Sequence, residues 1–561
     1  MTDKQQTSCF VHFDRNLCQG HAACIRACPT KAIRKVGKRT VNVVDQCIGC
    51  GECIRVCDAG AVSAAAATGA ENIGRDHVAI ALVSPVLYAQ FPGVMPKDIL
   101  MGLRQMGFRH TIDMSYFLEI FHYATEEFIN RNRESHKAPW PLISPVCPVV
   151  VRLIAFQFPS LIPHVLPVLR PAALMAREVK RRIIPMYQES GDAVALYYIN
   201  PCPTKMDPTC SNQDNPPAIA EVAMGINEIF PELTSQIERI KASDAIPFDQ
   251  TRFEYETCAT GNASMWAMSG GEIAEMDFDR SLAVSGLQET ITYLQKIEMG
   301  LFKDIEYIEF RTCREGCLGG VLTAIDKYLA KSAVQKMVKL FGLGRRLTRE
   351  NILRMYEKGQ FQTEISPARL TDLYGTKKEA LSLELLQKRE EIMELLRGTD
   401  CAACGAPDCR TFAEDIVRGT ASLQDCLWII AHSTTKRKRK RGNSTMTVND
   451  LVKRFGLQVV AGNEGLDRRV EDGYCGDLLS EIMGNAPEGC VWMTIQGHQN
   501  IVAVALLRDM AAIIVTGGHT PDDETLQKAN QEGIPILLWS DSAYRLAGRL
   551  YAMGVGNSGE E

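Results

Sequence analysis

Three cysteine-bearing segments, far apart in the sequence, have residue types that suit an iron–sulfur cluster. They read Ser-Pro-Val-Cys-Pro at 144–148, Asn-Pro-Cys-Pro-Thr-Lys at 200–205 and Thr-Cys-Arg-Glu-Gly-Cys-Leu-Gly-Gly at 312–320. Together they supply four thiolates, enough for one cubane: Cys147, Cys202, Cys313 and Cys317. The alternative is that these are structural cysteines of a core. The adjacent Gly319 and Gly320 favour a metal site, because glycine lets backbone approach a bulky inorganic group closely.

Lys205 places a positive charge three residues after Cys202, in a proline-flanked loop between apolar segments. An unpaired ammonium group would be costly to bury there. We therefore expect an anionic ligand beside this lysine.

Two further cysteine runs, near the N-terminus, have the spacing of electron-transfer clusters. Cys47-x2-Cys50-x2-Cys53-x3-Cys57 is complete, whereas Cys18-x2-His21-x2-Cys24-x3-Cys28-Pro29 has His21 in place of one cysteine. The module resembles two-cluster bacterial ferredoxins, in which the fourth cysteine of each run ligates the other cluster. The resemblance implies one cluster on Cys47, Cys50, Cys53 and Cys28, and a second on Cys18, Cys24 and Cys57.

The register of His21 predicts that it completes the second cluster. A neutral imidazole can ligate iron and typically raises a cluster's potential relative to thiolate. Alternatively, His21 is a spectator, and the site is a three-iron cluster or is completed by Cys9.

A fourth cysteine group is Cys401-x2-Cys404-x4-Cys409-x16-Cys426. Glycine and proline lie where the backbone must turn tightly around a cluster. The group resembles the small four-cysteine iron–sulfur domain found beside several anaerobic redox enzymes, which implies a 4Fe-4S cluster at 401–426. Tetrahedral zinc is the alternative. The cysteines that fit no ligand spacing are Cys210, Cys258, Cys475 and Cys490.

The three central motifs resemble those of the iron-only hydrogenases, which read Thr-Ser-Cys-Cys-Pro, Met-Pro-Cys-x-x-Lys and Met-Ala-Cys-x-x-Gly-Cys-x-x-Gly-Gly. Further matches at 124–127, 266–272 and 282–287 extend the resemblance over roughly 78–330. It implies an H-cluster, which is a 4Fe-4S cubane joined to a two-iron subsite with carbon monoxide, cyanide and a bridging dithiolate. By motif position, Cys317 bridges the two parts and Lys205 meets a cyanide. The resemblance also implies H2 and protons as substrates and hydrogenase maturation proteins as partners.

Several departures from these motifs bear on the rate of the chemistry. Val146 stands where the family has the first of its paired cysteines, which passes the proton, and Tyr123 stands at the position of a relay glutamate. Asn200 replaces a methionine, and Val321-Leu322 replaces the continuation Gly-Gln-Pro. A proton-relay group is worth roughly a hundredfold or more in rate. These departures resemble the sensory subgroup, which is thought to report H2 or redox state.

Residues 446–552 resemble the small regulatory domain named DRTGG, which accompanies metabolic enzymes and signalling proteins. The resemblance rests on Leu-Asp-Arg-Arg-Val at 466–470 and Val-Thr-Gly-Gly-His at 515–519. We expect a strand, a glycine turn and then a helix capped by Thr520-Pro521. Such a junction can bind an anion. Alternatively, the glycines merely make a tight turn.

Composition limits the classes of partner. A net charge of −5 gives no reason to expect nucleic acid. The chain has twenty cysteines, most of them at ligand-like spacing, and no secretory leader, which favours metal binding in a reducing cytoplasm. The apolar stretch 142–175 is broken by prolines and two arginines, so we expect no membrane span. The basic run 436–441 is predicted to be a solvated linker.

The fold prediction is a multidomain α/β protein of 561 residues. Its predicted parts are a two-cluster ferredoxin-like α+β domain at 1–75, a hydrogenase H-cluster domain with parallel-type sheets at 76–375, a small helical four-cysteine iron–sulfur domain at 376–433, a basic linker at 434–445 and a DRTGG-like α/β regulatory domain at 446–561. Strands are predicted at Val78–Val83, Ala193–Ile199, 488–495, 511–515 and 534–539, and helices at Pro96–Met106 and 376–397.

We expect an iron-only hydrogenase-like enzyme that oxidises H2 reversibly but slowly and senses H2 or redox state, with a signalling kinase or phosphatase as its reader. The first alternative is a catalytic, ferredoxin-dependent hydrogenase with a non-thiol proton route, which would exchange electrons with ferredoxin or another redox protein. The second alternative is an iron–sulfur scaffold or assembly protein that lacks the two-iron subsite. Lys205 argues against a scaffold, which has no evident need for it.

Overall fold

The computed structural model describes residues 10–36, 40–43, 46–64, 73–205, 220, 222–242, 256, 261–342, 347–361, 381–430 and 446–556. The chain divides into two compact units, Met1–Cys426 and Leu427–Glu561. Cys9, Cys210, Cys258 and the linker at 434–445 lie outside the described residues, and so does the side chain of Lys205. Within the described ranges, no helix combines the length and the apolar character needed to cross a membrane.

The first part of the larger unit is a small α+β module whose two similar halves carry the first two cysteine runs. In chain order its elements are β1 (Val11–Phe13), α1 (Ala23–Ala27), β2 (Ile33–Val36), β3 (Thr40–Val43), α2 (Glu52–Arg55) and β4 (Val62–Ala64). β1 pairs antiparallel with β4, and β2 with β3. The first and last strands therefore bring the two halves together, and the ferredoxin-like α+β prediction is confirmed.

The central part of this unit alternates strands and helices. Its elements are β5 (Val78–Val83), α3 (Val86–Ala89), α4 (Pro96–Gln105), β6 (His110–Asp113), α5 (Ser115–Ser135), β7 (Leu142–Ile143), α6 (Pro148–Gln157), α7 (Pro171–Arg182), α8 (Ile184–Gln188), β8 (Val194–Asn200), β9 (Val222–Gly225), α9 (Ile226–Ala242), α10 (Gly261–Met265), β10 (Ser281–Ser285), α11 (Leu287–Glu298), β11 (Tyr307–Arg311), α12 (Lys327–Phe341) and α13 (Arg349–Glu357).

These strands form two parallel sheets, with strand orders β6-β5-β8-β9 and β10-β11-β7. Leu82 of β5 packs into the apolar core on one face of the larger sheet, and Val83 packs into the core on the other. Burial on both faces explains why β5 is apolar throughout rather than alternating. The predicted parallel-type sheets are confirmed.

The four-cysteine group belongs to a small helical domain that packs against the ferredoxin-like module. Its helices are α14 (Leu383–Leu395) and α15 (Cys409–Val417), followed by the 3-10 turn Leu423–Asp425. Arg34 of β2 forms an ion pair with Asp415 at 2.6 Å, and the backbone N–H of Lys35 donates to Gly405 O at 3.1 Å. These contacts join two of the predicted electron-carrying domains.

The second unit is an α/β domain, as predicted, and its sheet has five strands. Its elements are α16 (Val448–Phe455), β12 (Gln458–Ala461), β13 (Asp472–Cys475), α17 (Leu479–Asn485), β14 (Cys490–Thr494), α18 (Asn500–Leu507), β15 (Ala512–Val515), α19 (Asp523–Glu532), β16 (Ile536–Leu538) and α20 (Ala543–Ala552). The strand order is β12-β16-β15-β14-β13, and only the β12–β16 pair is antiparallel.

The predicted helix cap at Thr520-Pro521 is wrong. The helix α19 begins at Asp523, and its N-cap residue is Asp522. The N–H of Asp522 donates to Gly497 O at 3.0 Å, which holds the chain extended up to that point.

Candidate functional site

The four cysteines of the central motifs follow the carboxyl ends of parallel strands. Cys147 lies four residues after β7, and Cys202 and Cys313 lie two residues after β8 and β11. Cys317 lies in the 3-10 turn Gly316–Gly319. Loops that follow the carboxyl ends of parallel strands are the usual place for a binding site.

The four thiols lie close enough to influence one another's ionisation. Burial raises the pKa of Cys313 well above its ordinary value, and Cys202, Cys147 and Cys317 raise it further. A raised pKa means that ionising the buried thiol costs free energy. A bound metal offsets that cost, because its positive charge stabilises the thiolate. The structure therefore brings together all four residues predicted to hold the cubane.

Asn200 shapes the second of these loops. It is fully buried, its Oδ1 accepts the N–H of Cys202 at 2.9 Å, and its Nδ2 donates to Tyr198 O at 3.2 Å. The sequence identified Asn200 only as a departure from a motif. In the structure it is a positioning residue for Cys202.

The glycines of the third motif approach protein backbone rather than open space. A Cβ atom on Gly319 would lie 2.1 Å from Arg314 O, and one on Gly320 would lie 2.4 Å from Pro201 O. A Cβ atom on Gly316, whose φ is +71°, would lie 2.6 Å from the backbone of Met268 and Ser269. Close packing between loops is therefore the direct reason for these glycines.

The two positions predicted to lack a proton relay are filled by side chains with other contacts. Val146 is 4% exposed and belongs to the apolar core that contains Trp266. The Tyr123 hydroxyl donates to the backbone oxygen of Leu347 at 3.1 Å. Val146 has no proton to pass, and a structural hydrogen bond engages the hydroxyl of Tyr123.

Beneath the third motif lies a buried ionic group that sequence reasoning missed. Arg311 Nη2 donates to Glu272 Oε2 at 2.7 Å, and Arg311 Nε lies 3.3 Å from Glu309 Oε1. The Tyr307 hydroxyl donates to the other oxygen of Glu272 at 2.5 Å. The available signal was the segment Tyr-Ile-Glu-Phe-Arg, in which two charged residues interrupt otherwise apolar and aromatic residues. All five residues are buried.

The neighbouring carboxylates keep the Arg311 side chain charged. Burial alone would lower the pKa of Arg311, but Glu272 and Glu309 raise it above its ordinary range, with further contributions from the thiols of Cys317 and Cys147. Arg311 therefore remains a cation although it is 1% exposed. Its Cζ lies 4.8 Å from the centre of the Trp266 ring.

Replacing Glu309 with glutamine is expected to flatten part of the pH dependence of stability. Burial raises the pKa of Glu309 to about 7 from its ordinary value of 4.5, Arg311 opposes this shift, and Glu272 adds to it. Between these pH values the folded state keeps a proton that the unfolded state loses, so the contribution of Glu309 to stability falls as pH rises through the window. Denaturation at pH values on either side of the window measures the slope. An unchanged slope in Glu309→Gln would contradict this assignment.

The ferredoxin-like module contacts the active-site loops directly. Thr204 Oγ1 donates to Gly49 O at 2.7 Å, and Arg55 Nη2 donates to Gly319 O at 2.9 Å. A Cβ atom on Gly51 would lie 2.6 Å from Val321 Cγ2. The loop around Cys50 is therefore the side of the module that faces the central motifs.

Cys28 lies with the cysteines of the second run, not with those of its own. Burial raises the pKa of Cys50 well above its ordinary value, and Cys28, Cys53 and Cys47 raise it further. These four thiols line one cavity. Four thiolates around a shared space are the ligand set of a cubane.

Cys57 correspondingly lies with the first run. Burial raises the pKa of Cys24 to about 11, and Cys57 and then Cys18 add to this shift. His21 is exposed. The residue after it, Ala22, has φ 59°, as the residue after Cys50 has φ 77°. The backbone thus gives His21 the local conformation that the complete run has at Cys50.

Three cysteines of the fourth group, Cys401, Cys404 and Cys426, lie close together. Burial raises the pKa of Cys404, and Cys426 and Cys401 add to this shift. Cys409 begins α15, where Asp408 caps the helix by accepting the N–H of Thr411 at 2.6 Å. Within the described ranges, no three His, Cys, Asp or Glu side chains are grouped around a single-ion site.

The glycine turn of the second unit has its N–H groups engaged. Gly517 and Gly518 have φ of 72° and 74°. The N–H of Gly517 donates to Asp541 O at 2.9 Å, and that of Gly518 to Trp539 O at 3.4 Å. The structure therefore favours the tight-turn interpretation over an anion site at these glycines.

Four segments match known family models. Residues 10–58 match a 4Fe-4S dicluster domain, 77–271 the C-terminal domain of the iron-only hydrogenase large subunit, 396–427 an Fe-S cluster domain and 450–553 the DRTGG domain. These matches confirm the resemblances inferred from the motifs. No curated protein matches the chain.

Solved structures show distant likeness to parts of the chain. A variant of FeFe-hydrogenase HydA1 from Chlamydomonas reinhardtii is 16% identical, with a TM-score of 0.37 and coverage of 53% of this chain and 93% of that chain. An apo variant of the same protein is 17% identical, with a TM-score of 0.37 and coverage of 54% and 94%. The CBS and DRTGG domains of a Clostridium perfringens pyrophosphatase, complexed with the activator diadenosine tetraphosphate, are 14% identical, with a TM-score of 0.17 and coverage of 22% and 58%.

Proposed function

We propose that this chain is a slow, sensory iron-only hydrogenase that binds an H-cluster and interconverts H2 with protons and electrons. The observation that carries the proposal is the grouping of Cys147, Cys202, Cys313 and Cys317. The residue directly before Cys147 is Val146, whose side chain cannot pass a proton. The four grouped thiols support the proposed binding of the cofactor. Val146 supports the proposed low turnover, because it replaces the cysteine that passes the proton in the resembled family.

The residues of the site fit an anionic iron–sulfur cofactor. The four thiols would hold the cubane, and Cys317 would join it to the two-iron subsite, which when bound supplies the metals at which H2 is split or formed. Among the described residues, Arg311 Nη1 and Trp266 Nε1 are buried donors without a hydrogen-bond partner. Unmatched donors are expected beside a group that supplies acceptors. Lys205 would bind a cyanide of the subsite.

Electrons are proposed to travel through the ferredoxin-like module. Its cluster on Cys47, Cys50, Cys53 and Cys28 would be next to the active site, because Thr204 donates to Gly49 O at 2.7 Å. The four-cysteine domain, held to the same module by the Arg34–Asp415 ion pair, would extend the path. The external partner would be ferredoxin or another redox protein.

The sensory role rests on slow chemistry combined with a regulatory domain. A signal requires that the H2-bound or reduced state persist long enough to be read, which low turnover allows. The DRTGG domain is proposed to bind a regulatory small molecule or to pass the state to a kinase or phosphatase in the cytoplasm. Hydrogenase maturation proteins would load the two-iron subsite.

The proposed cofactor is tested by infrared spectroscopy of the full chain produced with and without hydrogenase maturation proteins. Bands of iron-bound carbon monoxide and cyanide are expected only after maturation. Cys317→Ala should lack them, whereas Cys490→Ala, which removes a cysteine outside every ligand group, should keep them. If the parent protein binds its cubanes but shows no such bands after maturation, it is a scaffold rather than a hydrogenase.

Replacing Val146 with cysteine is expected to raise H2 turnover of the matured protein by roughly a hundredfold, the usual contribution of a positioned relay group. H2 evolution with a strong chemical reductant measures this rate. Val150→Cys is the matched control, since it places a thiol at another buried valine of the neighbouring helix. Parent turnover as fast as that of prototypical family members would contradict the sensory proposal.

A further inference from the structure

The buried ionic group of Arg311, Glu272 and Glu309 contains one cation, Arg311. The two carboxylates do not accept hydrogen bonds from all of its N–H groups. The guanidinium of Arg311 uses Nη2 for Glu272 and directs Nε towards Glu309. Within the described part of the chain, its Nη1 has no hydrogen-bond partner, although the side chain is 1% exposed. A buried N–H without an acceptor costs about 1–3 kcal/mol, so this edge of the guanidinium should face an acceptor that the described residues do not supply.

A second unmatched donor lies beside the first. The indole Nε1–H of Trp266 is also buried and has no hydrogen-bond partner among the described residues. Its ring is stacked with the guanidinium, at 4.8 Å from Arg311 Cζ. Trp266 is 1% exposed and packs in the apolar core that contains Val146. Because the two unmatched donors belong to side chains in contact with each other, we expect them to share one acceptor region.

The nearest candidate for that acceptor is the cofactor. Arg311 is two residues from Cys313 in sequence, and the thiols of Cys317 and Cys147 lie within electrostatic range of its guanidinium. An iron–sulfur cubane with four thiolates is anionic, and its inorganic sulfides and bound ligands accept hydrogen bonds. The motif of the resembled family has methionine at this position, so the positive charge is a property of this chain.

We propose that Arg311 is a cofactor-facing cation, which with the Trp266 indole N–H contacts the cofactor bound by Cys147 and Cys317 and raises its reduction potential. This inference rests on the proposed function. The physical reason is that reduction adds negative charge to the cofactor, and a fixed cation with N–H donors stabilises the more negative state. Glu272 and Glu309 hold the guanidinium in place, so that Arg311 acts as a positioned charge rather than as a proton donor.

The test is infrared-monitored redox titration of the matured full-length protein, since the carbon monoxide and cyanide bands report on this cofactor alone among the clusters. Arg311→Gln, which can still donate to Glu272, is expected to shift the bands to lower frequency. It should also lower the ratio of reduced to oxidised cofactor about tenfold at a fixed potential, which corresponds to about 59 mV for a one-electron couple. Arg311→Lys should change the ratio less than Arg311→Gln does.

The matched control is Arg280→Gln, which removes an arginine that is 60% exposed and paired with Glu306. It should leave the bands and the titration unchanged. Bands in Arg311→Gln at the parental frequencies and potential would overturn the inference and leave the proposed function standing. Absence of bands in the matured parent would instead overturn the proposed function.

A structure of the loaded parent protein decides the matter if Arg311→Gln fails to fold. Arg311 Nη1 is expected within hydrogen-bond distance of a cofactor atom. A loaded structure in which Arg311 Nη1 and Trp266 Nε1 both donate to protein or water instead would overturn the inference.

Discussion

Replacing Cys28 with alanine is expected to destroy the cluster of the second cysteine run, Cys47, Cys50 and Cys53, although Cys28 belongs to the first. Cys28 raises the pKa of both Cys50 and Cys53, and the four thiols line one cavity. A cubane needs four ligands, so removal of one leaves an open iron site that is readily lost.

The functional effect of Cys28→Ala should be large, because this cluster faces the active-site loops through the contact between Thr204 and Gly49. We expect electron delivery from an external redox protein to be almost abolished. Iron content and electron paramagnetic resonance of the reduced protein measure the cluster directly. The signal of the cluster on Cys18 and Cys24 should survive.

The matched control is Cys57→Ala, which removes the corresponding cysteine of the other run. Because Cys57 raises the pKa of Cys24, this variant should lose the cluster of the first run and keep the other. If each variant instead loses the cluster of its own run, the exchange of fourth ligands is wrong.

Replacing Glu272 with alanine is expected to lower the free energy of unfolding of the larger unit by about 3 kcal/mol or more. The side chains of Glu272 and Arg311 are 0% and 1% exposed, and they are joined at 2.7 Å. Removing one partner of a buried ion pair leaves an uncompensated charge, which typically costs about 3–5 kcal/mol. The Tyr307 hydroxyl would also lose its acceptor.

Chemical denaturation of the full chain, followed by fluorescence or circular dichroism, measures this loss. Glu390→Ala is the control, because Glu390 pairs with Arg389 at the surface and is 61% exposed. Surface pairs contribute about 0–1 kcal/mol. A loss in Glu272→Ala no larger than that in the control would mean that Arg311 is adequately compensated by other groups.

Much of the architecture was predictable because its signals are local. The apolar run Val78–Val83 is a strand with those bounds, and the strand predicted at Ala193–Ile199 lies at Val194–Asn200. The helix start after Val515 was misplaced, because Pro521 suggested an immediate start whereas Asp522 is tied to Gly497. This hydrogen bond joins two loops that are distant in sequence, so the residues around Pro521 do not predict it.

The cysteines of the candidate site could be predicted from the sequence. The hydrogen bonds and ion pairs that surround them could not. The three central motifs identified Cys147, Cys202, Cys313 and Cys317, and the resemblance to two-cluster ferredoxins predicted the exchange that brings Cys28 to the second run. They gave no sign that Asn200 holds the amide of Cys202. They also missed the pairing of Arg311 with Glu272, since these residues are 39 positions apart in the sequence.

The sequence by itself determined which side chains are suited to bind iron and sulfur, because three or four ligands of each outer cluster lie within one short loop or one recognisable repeat. Only the tertiary structure decided which loops meet. It brings the loop around Cys50 against Thr204 and Gly319. It also buries Arg311 beside Trp266, and Arg311 Nη1 has no hydrogen-bond partner among the described residues. The physical reason is that ligand spacing is a local property of the chain, whereas burial, charge compensation and contact between cofactor sites depend on how distant strands pack.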